Sequence, residues 1–365
     1  MSNFLDLPRE IIELVFSHLV STPTTQRRPA VHCPASGTFA EAHASRSLDF
    51  IDYHQRRSRI LPRAKCQSLE VENLWTFHRP PQSGLSVHDA INSEILECLL
   101  ELFSDTIVTL NLKFIDFFTL PSRTIEAIGR VKNLKHLQLH PQGISGLRST
   151  PADPACFKSL IMEAQGLKSL QLALPVMLPC QPHLMAGTQY PAIIHLEIKL
   201  TRAYDPDVIF GIAIALKPSL KLLTIRDWLH LRNSRPLLPV YETLRETIEG
   251  LSVNDCATLL PILHLSFPML RVLVIHGWLT PFVDVLSQDI FCQAPIETIA
   301  INSIETHPTN LTAHMFSHLS RLRKLVFMNA KPNYSPPSMY LTASEAYHIE
   351  CIYLDHGDLS QIMKL

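Results

Sequence analysis

One pattern recurs eleven times along this chain: an apolar residue, a second three positions later, and a third two positions after that. It reads Cys66-Leu69-Val71, Ile107-Leu110-Leu112, Leu134-Leu137-Leu139, Leu167-Leu170-Leu172, Ile193-Leu196-Ile198 and Leu220-Leu223-Ile225. It continues as Ile248-Leu251-Val253, Leu270-Leu273-Ile275, Ile296-Ile299-Ile301, Leu322-Leu325-Phe327 and Ile349-Ile352-Leu354. In an aliphatic-rich chain such triplets arise often by chance. Their spacing does not: the middle members lie 41, 27, 33, 26, 27, 28, 22, 26, 26 and 27 residues apart. A supersecondary unit repeated at this interval buries its apolar side only by stacking on its neighbours, which dictates an array.

The segments between triplets carry helical periodicity. Ser93–Phe103 places Ile95, Leu99 and Leu102 on one face, Thr124–Leu134 places Ile125, Ile128 and Val131, and Pro154–Ala164 places Phe157, Leu160 and Ile161. Each repeat is therefore a short strand followed by a helix. The two wide intervals are taken up by loops at Thr76–His88 and Pro141–Pro154. The period of 22 to 28 residues is that of leucine-rich repeats. The expected fold is an α/β leucine-rich-repeat solenoid of about eleven βα repeats over residues 65–365. The asparagine usual after the third member is replaced by residues such as Ile115, Thr201, Trp228 and Trp278, so the repeats are of an irregular kind.

Side chains alternate between the faces of a strand. If the triplet faces the core, the residue inside each last pair faces the opposite, concave side. That row reads Glu70, Asn111, Gln138, Gln171, Glu197, Thr224, Ser252, Val274, Ala300, Val326, Tyr353. Seven polar members give way to three apolar ones, and the flanking Val272 and Met328 agree with the change. Val272, Val274, Ala300, Val326 and Met328 thus form a candidate partner-binding strip. Two fates are open to it: exposure to a protein partner, or cover by a loop or by the chain's own tail.

Hydrophobic residues make up 46% of the 365 and charged residues 18%, a globular composition. A net charge of −1 argues against a nucleic-acid binder, which needs a basic surplus. The longest apolar run, Val208–Leu216, is too short for a membrane span, and Asp6, Arg9, Glu10 and Glu13 break any secretory h-region. Eight cysteines without a CxxC pair read as reduced thiols in an intracellular, cytoplasmic or nuclear protein. Among eighteen histidines there is no HExxH and no zinc-finger spacing. His314 and His318 form an i,i+4 pair expected on a solvated helix. Phosphate-binding glycine loops and a GxSxG elbow are absent. No catalytic residue, metal or cofactor is therefore expected, and the chain reads as a binding protein rather than an enzyme.

The N-terminal stretch Leu5-Asp6-Leu7-Pro8-Arg9-Glu10-Ile11-Ile12-Glu13-Leu14-Val15-Phe16-Ser17-His18-Leu19 predicts a short helix. Pro8 fits a helix start, and Glu10 and Glu13 sit near the positive end of its dipole. A helix apolar on most sides must bury itself against something. This stretch resembles the opening of an F-box. After an insertion at 21–46 that reads as mobile, Leu48–Ala64 resembles a degenerate continuation, ending Leu61-Pro62-Arg63-Ala64 as in F-boxes of fungal leucine-rich-repeat proteins. The resemblance makes residues 1–64 an F-box-like helical segment ahead of the solenoid. It implies docking on a Skp-type adaptor of a cullin–RING ubiquitin ligase, with Leu7, Pro8, Ile11, Val15, Phe16 and Leu19 as the matching positions. The repeats would then hold a protein substrate whose identity the resemblance does not specify. The alternative is that Met1–Val20 caps the open end of the solenoid in a plain interaction scaffold.

Overall fold

The computed structural model describes residues 30–35, 38–43, 66–75, 91–114, 119–141, 154–173, 190–200, 206–227, 237–277, 286, 288–302 and 313–365. The chain divides into two compact units, one of Met1–Cys180 with Gln189–Pro191, the other of Gln181–Thr188 with Ala192–Leu365.

In the first unit, strands β3 (Ser68–Trp75), β5 (Thr109–Phe114), β6 (His136–Pro141) and β7 (Ser169–Leu172) pair in parallel and in chain order. The short β4 (Ile91–Asn92) pairs with the end of β3. Helices α1 (Ser93–Leu102), α2 (Ser122–Gly129) and α3 (Pro154–Glu163) follow β4, β5 and β6, and each packs on the next. Within the segment read as an insertion, β1 (Ala30–Ala35) and β2 (Thr38–His43) form an antiparallel hairpin, and β1 pairs with the edge of β3.

The second unit repeats the plan. Strands β8 (His195–Leu200), β9 (Leu222–Asp227), β10 (Gly250–Asp255), β11 (Val272–Gly277), β12 (Thr298–Asn302), β13 (Lys324–Met328) and β14 (Glu350–Leu354) are parallel, each paired with the next. The crossovers carry α4 (Pro206–Leu216), α5 (Leu238–Leu244), a 3-10 turn at Cys256–Ile262, α6 (Asp289–Gln293), a second 3-10 turn at Ala313–His318 and α7 (Ser338–Tyr347). A single turn, α8 (Leu359–Ile362), follows β14. Parallel strands in chain order with a helical crossover every 22 to 28 residues constitute a leucine-rich-repeat fold.

The aliphatic pairs meet in register. Leu69, Leu110, Leu137 and Leu170 align in the first unit, and Leu196, Leu223, Leu251, Leu273, Ile299 and Leu325 in the second, all of them buried. Each alignment is fixed at the strand entrance by one carbonyl that accepts two amides of the next repeat. Glu297 O takes Arg323 N and Lys324 N at 2.8 and 3.0 Å, and Arg271 O takes Glu297 N and Thr298 N at 2.8 and 3.1 Å. The same device joins the first-unit strands, where Lys135 O takes Lys168 N and Ser169 N, both at 2.9 Å.

Three expectations need correction. In α1 the buried face is Leu96 and Leu100, not Ile95, Leu99 and Leu102, and Leu102 is exposed. Asn92 caps this helix by accepting Ile95 N at 2.9 Å, and its buried Glu97 accepts Thr124 Oγ1 at 2.7 Å. With apolar residues all round Ile95–Phe103, the Glu97–Thr124 bond to α2 orients the helix. In the last repeat, Leu325 pairs with Cys351 and Val326 with Ile352, so the aligned residues of β14 lie one position earlier than the spacing suggests. Because side chains alternate, this puts Ile352 rather than Tyr353 in the opposite-face row. Tyr353 stacks on Phe327 instead, with ring centroids 5.6 Å apart. Third, Cys98, Cys156, Cys292 and Cys351 are free thiols, but Cys66 is disulfide-bonded, contrary to the reading of reduced thiols throughout.

Leu273 is flanked by Leu251 and Ile299 in adjacent strands and has no exposed surface. Leu273→Ala is expected to cost about 2–5 kcal/mol through lost burial and the cavity left behind. A lowered urea midpoint with an unchanged slope is the measured outcome.

Candidate functional site

The row opposite the aliphatic pairs forms the helix-free sheet face in each unit. In the first unit it aligns Glu70, Asn111, Gln138 and Gln171. Lys113 Nζ lies 2.5 Å from Glu70 Oε1 and 2.6 Å from Glu72 Oε1, and Asn111 Nδ2 donates to Glu70 Oε1 at 3.1 Å. Burial pulls the Lys113 pKa down, but hydrogen bonds to Glu70 and Glu72 outweigh it and hold the ammonium above its usual range. The strand alternates accordingly: Leu110, Leu112 and Phe114 are buried, and Thr109, Asn111 and Lys113 are half-buried. This face is polar and solvated.

In the second unit the row aligns Glu197, Thr224, Ser252, Val274, Ala300, Val326 and Ile352. Its polar members are paired. Arg226 Nε lies 2.8 Å from Glu197 Oε1, His195 Nε2 is 3.1 Å from Thr224 Oγ1, and His276 Nε2 is 3.2 Å from Ser252 Oγ. The His276 imidazole is pushed down to about 4, first by burial and then by the Arg226 guanidinium.

The apolar members come together as the strand spacing predicts. Val272, Val274, Ala300, Val326 and Met328 join Leu222 in one buried cluster. They are not open to solvent, which corrects the expectation of an exposed strip. Leu359 and Ile362 of α8 complete the cluster, with Ile352, Leu354 and Met363 packed at its edge. The four residues Val272–Ile275 of β11, and Leu325–Met328 of β13, are consequently buried on both faces. Of the two fates open to the strip, the chain itself adopts cover by its own tail.

The tail fits closely. Asp358 Oδ1 accepts Gln361 N at 2.8 Å and Gln361 Oε1 accepts Asp358 N at 3.4 Å, a capping box that starts the turn. Gly250 of β10 sits beneath it. A Cβ at Gly250 would lie 2.9 Å from both Met363 Sδ and Leu222 Cδ2, and 3.2 Å from Leu359 Cδ1, so only glycine lets the tail approach the sheet this closely. Lys324 Nζ donates to Leu365 O. Burial of Leu359 and Ile362 stabilises by about 1.5–3 kcal/mol each. Ordering the four-residue turn costs about 1–2 kcal/mol per residue of backbone. These nearly cancel, which makes the seat a marginal one.

The F-box-like positions Leu7, Pro8, Ile11, Val15, Phe16 and Leu19 lie outside the described residues, as do Trp228 and Trp278. His314 and His318 stand on a 3-10 turn with ring centroids 6.2 Å apart in an edge-on arrangement. Among the described residues there is no group of three or more potential metal ligands, and no helix is long and apolar enough to cross a membrane.

Strand spacing alone missed Leu222, Gly250, Ile352, Leu359, Ile362 and Met363. Leu222 and Gly250 occupy the same flanking row as Val272, so the register could have found them. The Asp358…Gln361 capping pattern ahead of Ile362-Met363 marks the turn.

No protein-family model matches the chain, and no curated protein matches it. Among solved structures it is similar to the leucine-rich repeat-containing protein LegL7 from Legionella pneumophila, with 13% identity over 79% of this chain and 99% of that one, at a TM-score of 0.46. The repeat assignment stands on the strand register and period of this chain.

His276 resists protonation in the folded state, with its pKa near 4 against an ordinary 6.5. Stability is expected to be level above pH 6.5 and to fall as pH drops from 6.5 toward 4, because the unfolded chain takes up the proton first. The slope from this residue is at most about 1.4 kcal/mol per pH unit. Urea midpoints at pH 7.5 and 5 should differ less for His276→Gln than for the wild type.

Proposed function

We propose that the protein is the non-catalytic substrate-recognition subunit of a Skp/cullin/F-box-type ubiquitin ligase. The observation that carries this reading is the order of segments. The F-box-like Leu5–Leu19 stands ahead of a repeat array whose rows are held in register from Ser68 to Phe114 and beyond. On this reading Leu7, Pro8, Ile11, Val15, Phe16 and Leu19 dock on a Skp-type adaptor. The helix-free sheet faces supply the surface that takes a protein target. An adaptor-bound receptor of this kind works in the cytoplasm or nucleus and performs no chemistry of its own.

A repeat array suits such a task because its sheet faces are assembled from many strands and read an extended partner side chain by side chain. The first unit offers charges, Glu70, Glu72 and Lys113, on that face. The second offers a polar half followed by an apolar one.

The second reading is a leucine-rich-repeat interaction scaffold without a ligase link, with Met1–Val20 serving as a cap. The pairing of β1 with the edge of β3 favours the first reading over this one. That pairing already satisfies the strand edge a cap would cover.

Capture by an immobilised Skp-type adaptor separates the two. The full chain should be retained, and Leu7→Ala with Pro8→Ala should reduce retention at least tenfold while leaving the thermal melt unchanged. Equal retention of wild type and variant, or none of either, removes the ligase reading and leaves the scaffold.

A further inference from the structure

The tail of the second unit is built unlike the elements beneath it. Strands β9 to β13 are bound to one another by parallel ladders. The backbone hydrogen bonds of α8 stay within its own turn: Ile362 N to Asp358 O, Met363 N to Leu359 O, Lys364 N to Gln361 O and Leu365 N to Ile362 O. It is held to the sheet by the side chains of Leu359, Ile362 and Met363, and by Lys324 on Leu365 O. An element attached by a few side chains opens at lower free energy than strands locked in a ladder.

The surface under it has the anatomy of an interface. An apolar centre of Leu222, Val272, Val274, Ala300, Val326 and Met328 is bordered by the paired polar groups Glu197–Arg226 and Ser252–His276. Gly250 leaves a backbone-level seat into which Met363 and Leu359 descend. The occupant shows what chemistry the seat accepts: apolar side chains at i, i+3 and i+4 of one helical turn, started by an acidic capping residue.

We propose that the strip on β9 to β13 is a docking site for a helical turn of a partner protein, and that Leu359–Met363 is its intramolecular occupant. The partner segment presents three apolar anchors at that spacing behind an Asp or Glu cap, and it gains access by displacing the tail. The covalent tail competes at high effective concentration, so the site is closed to weak ligands and open to a segment that matches the turn better or is itself locally concentrated. This rests on the reading that the repeats hold a protein target and is independent of adaptor docking.

The probe is a fluorescent peptide of residues 355–365, followed by anisotropy on the full chain. With Leu359→Glu and Ile362→Glu in the full chain, the tail is released. The peptide should then bind at least tenfold more tightly than to the wild type. A peptide bearing the same two substitutions should not bind, and adding Gly250→Met to the released chain should weaken binding at least tenfold. A folded released chain that does not bind the peptide overturns the proposal.

Hydrogen exchange on the wild type decides the matter without any variant. The Ile362–Leu365 amides should exchange at least tenfold faster than those of Val274 and Val326, and faster again under saturating peptide. Exchange of the tail only together with the strands overturns the proposal. A concentration-dependent dimer that the two Glu substitutions dissolve also overturns it, since the occupant is then a second copy's tail. Adaptor capture, measured separately, is unaffected by any of these outcomes, so failure here is distinguishable from failure of the ligase reading.

Discussion

The structure depends on one small hydrogen-bonding device, the carbonyl at each strand entrance that accepts two successive amides of the following repeat. Lys221 O does this for Glu249 N and Gly250 N, Glu249 O for Arg271 N and Val272 N, and Arg271 O for Glu297 N and Thr298 N. Each shared carbonyl sets the phase of the next strand. Since strand side chains alternate, phase decides which residues enter the core and which reach the opposite face. A slip of one residue anywhere would exchange the two sets. Surface ion pairs such as Lys221–Glu249 and Arg271–Glu297 lie beside these entrances, but exposed pairs contribute little, and the backbone carries the register.

Given that phase, the helix-free face of the second unit becomes a record of what must be satisfied there. Its polar half satisfies itself through Arg226 on Glu197, His195 on Thr224 and His276 beside Ser252. Its apolar half has no such option, because valine, alanine and methionine gain only by leaving water. The tail supplies the missing cover. Gly250 marks how closely that cover is fitted, since even a methyl group there would collide with Met363 and Leu222. The same face therefore combines a stable ladder with a marginal lid, and the difference lies in backbone hydrogen bonding.

Much of this was legible in the residue pattern. The rows Leu69-Leu110-Leu137-Leu170 and Leu196 through Leu325 follow from the period, as does the change from Ser252 to Val274. Two misreadings have a common origin. In Glu350-Cys351-Ile352-Tyr353-Leu354 and in Ile95–Phe103 apolar residues occupy both candidate faces, so local patterning offers no preference. In each case a contact distant in sequence decided the matter. The pairing of Leu325 with Cys351 set β14, and the Glu97–Thr124 hydrogen bond oriented α1.

By itself the sequence determined the repeating βα plan, because a triplet recurring every 22 to 28 residues can bury its apolar side in only one way, by stacking. It also determined that the C-terminal strands carry an apolar row. Only the tertiary structure decided that this row is covered, and by what. Cover depends on whether Leu359 and Ile362 reach Gly250 across intervening strands, and no periodicity within a repeat encodes a meeting between the end of the chain and a strand some hundred residues before it.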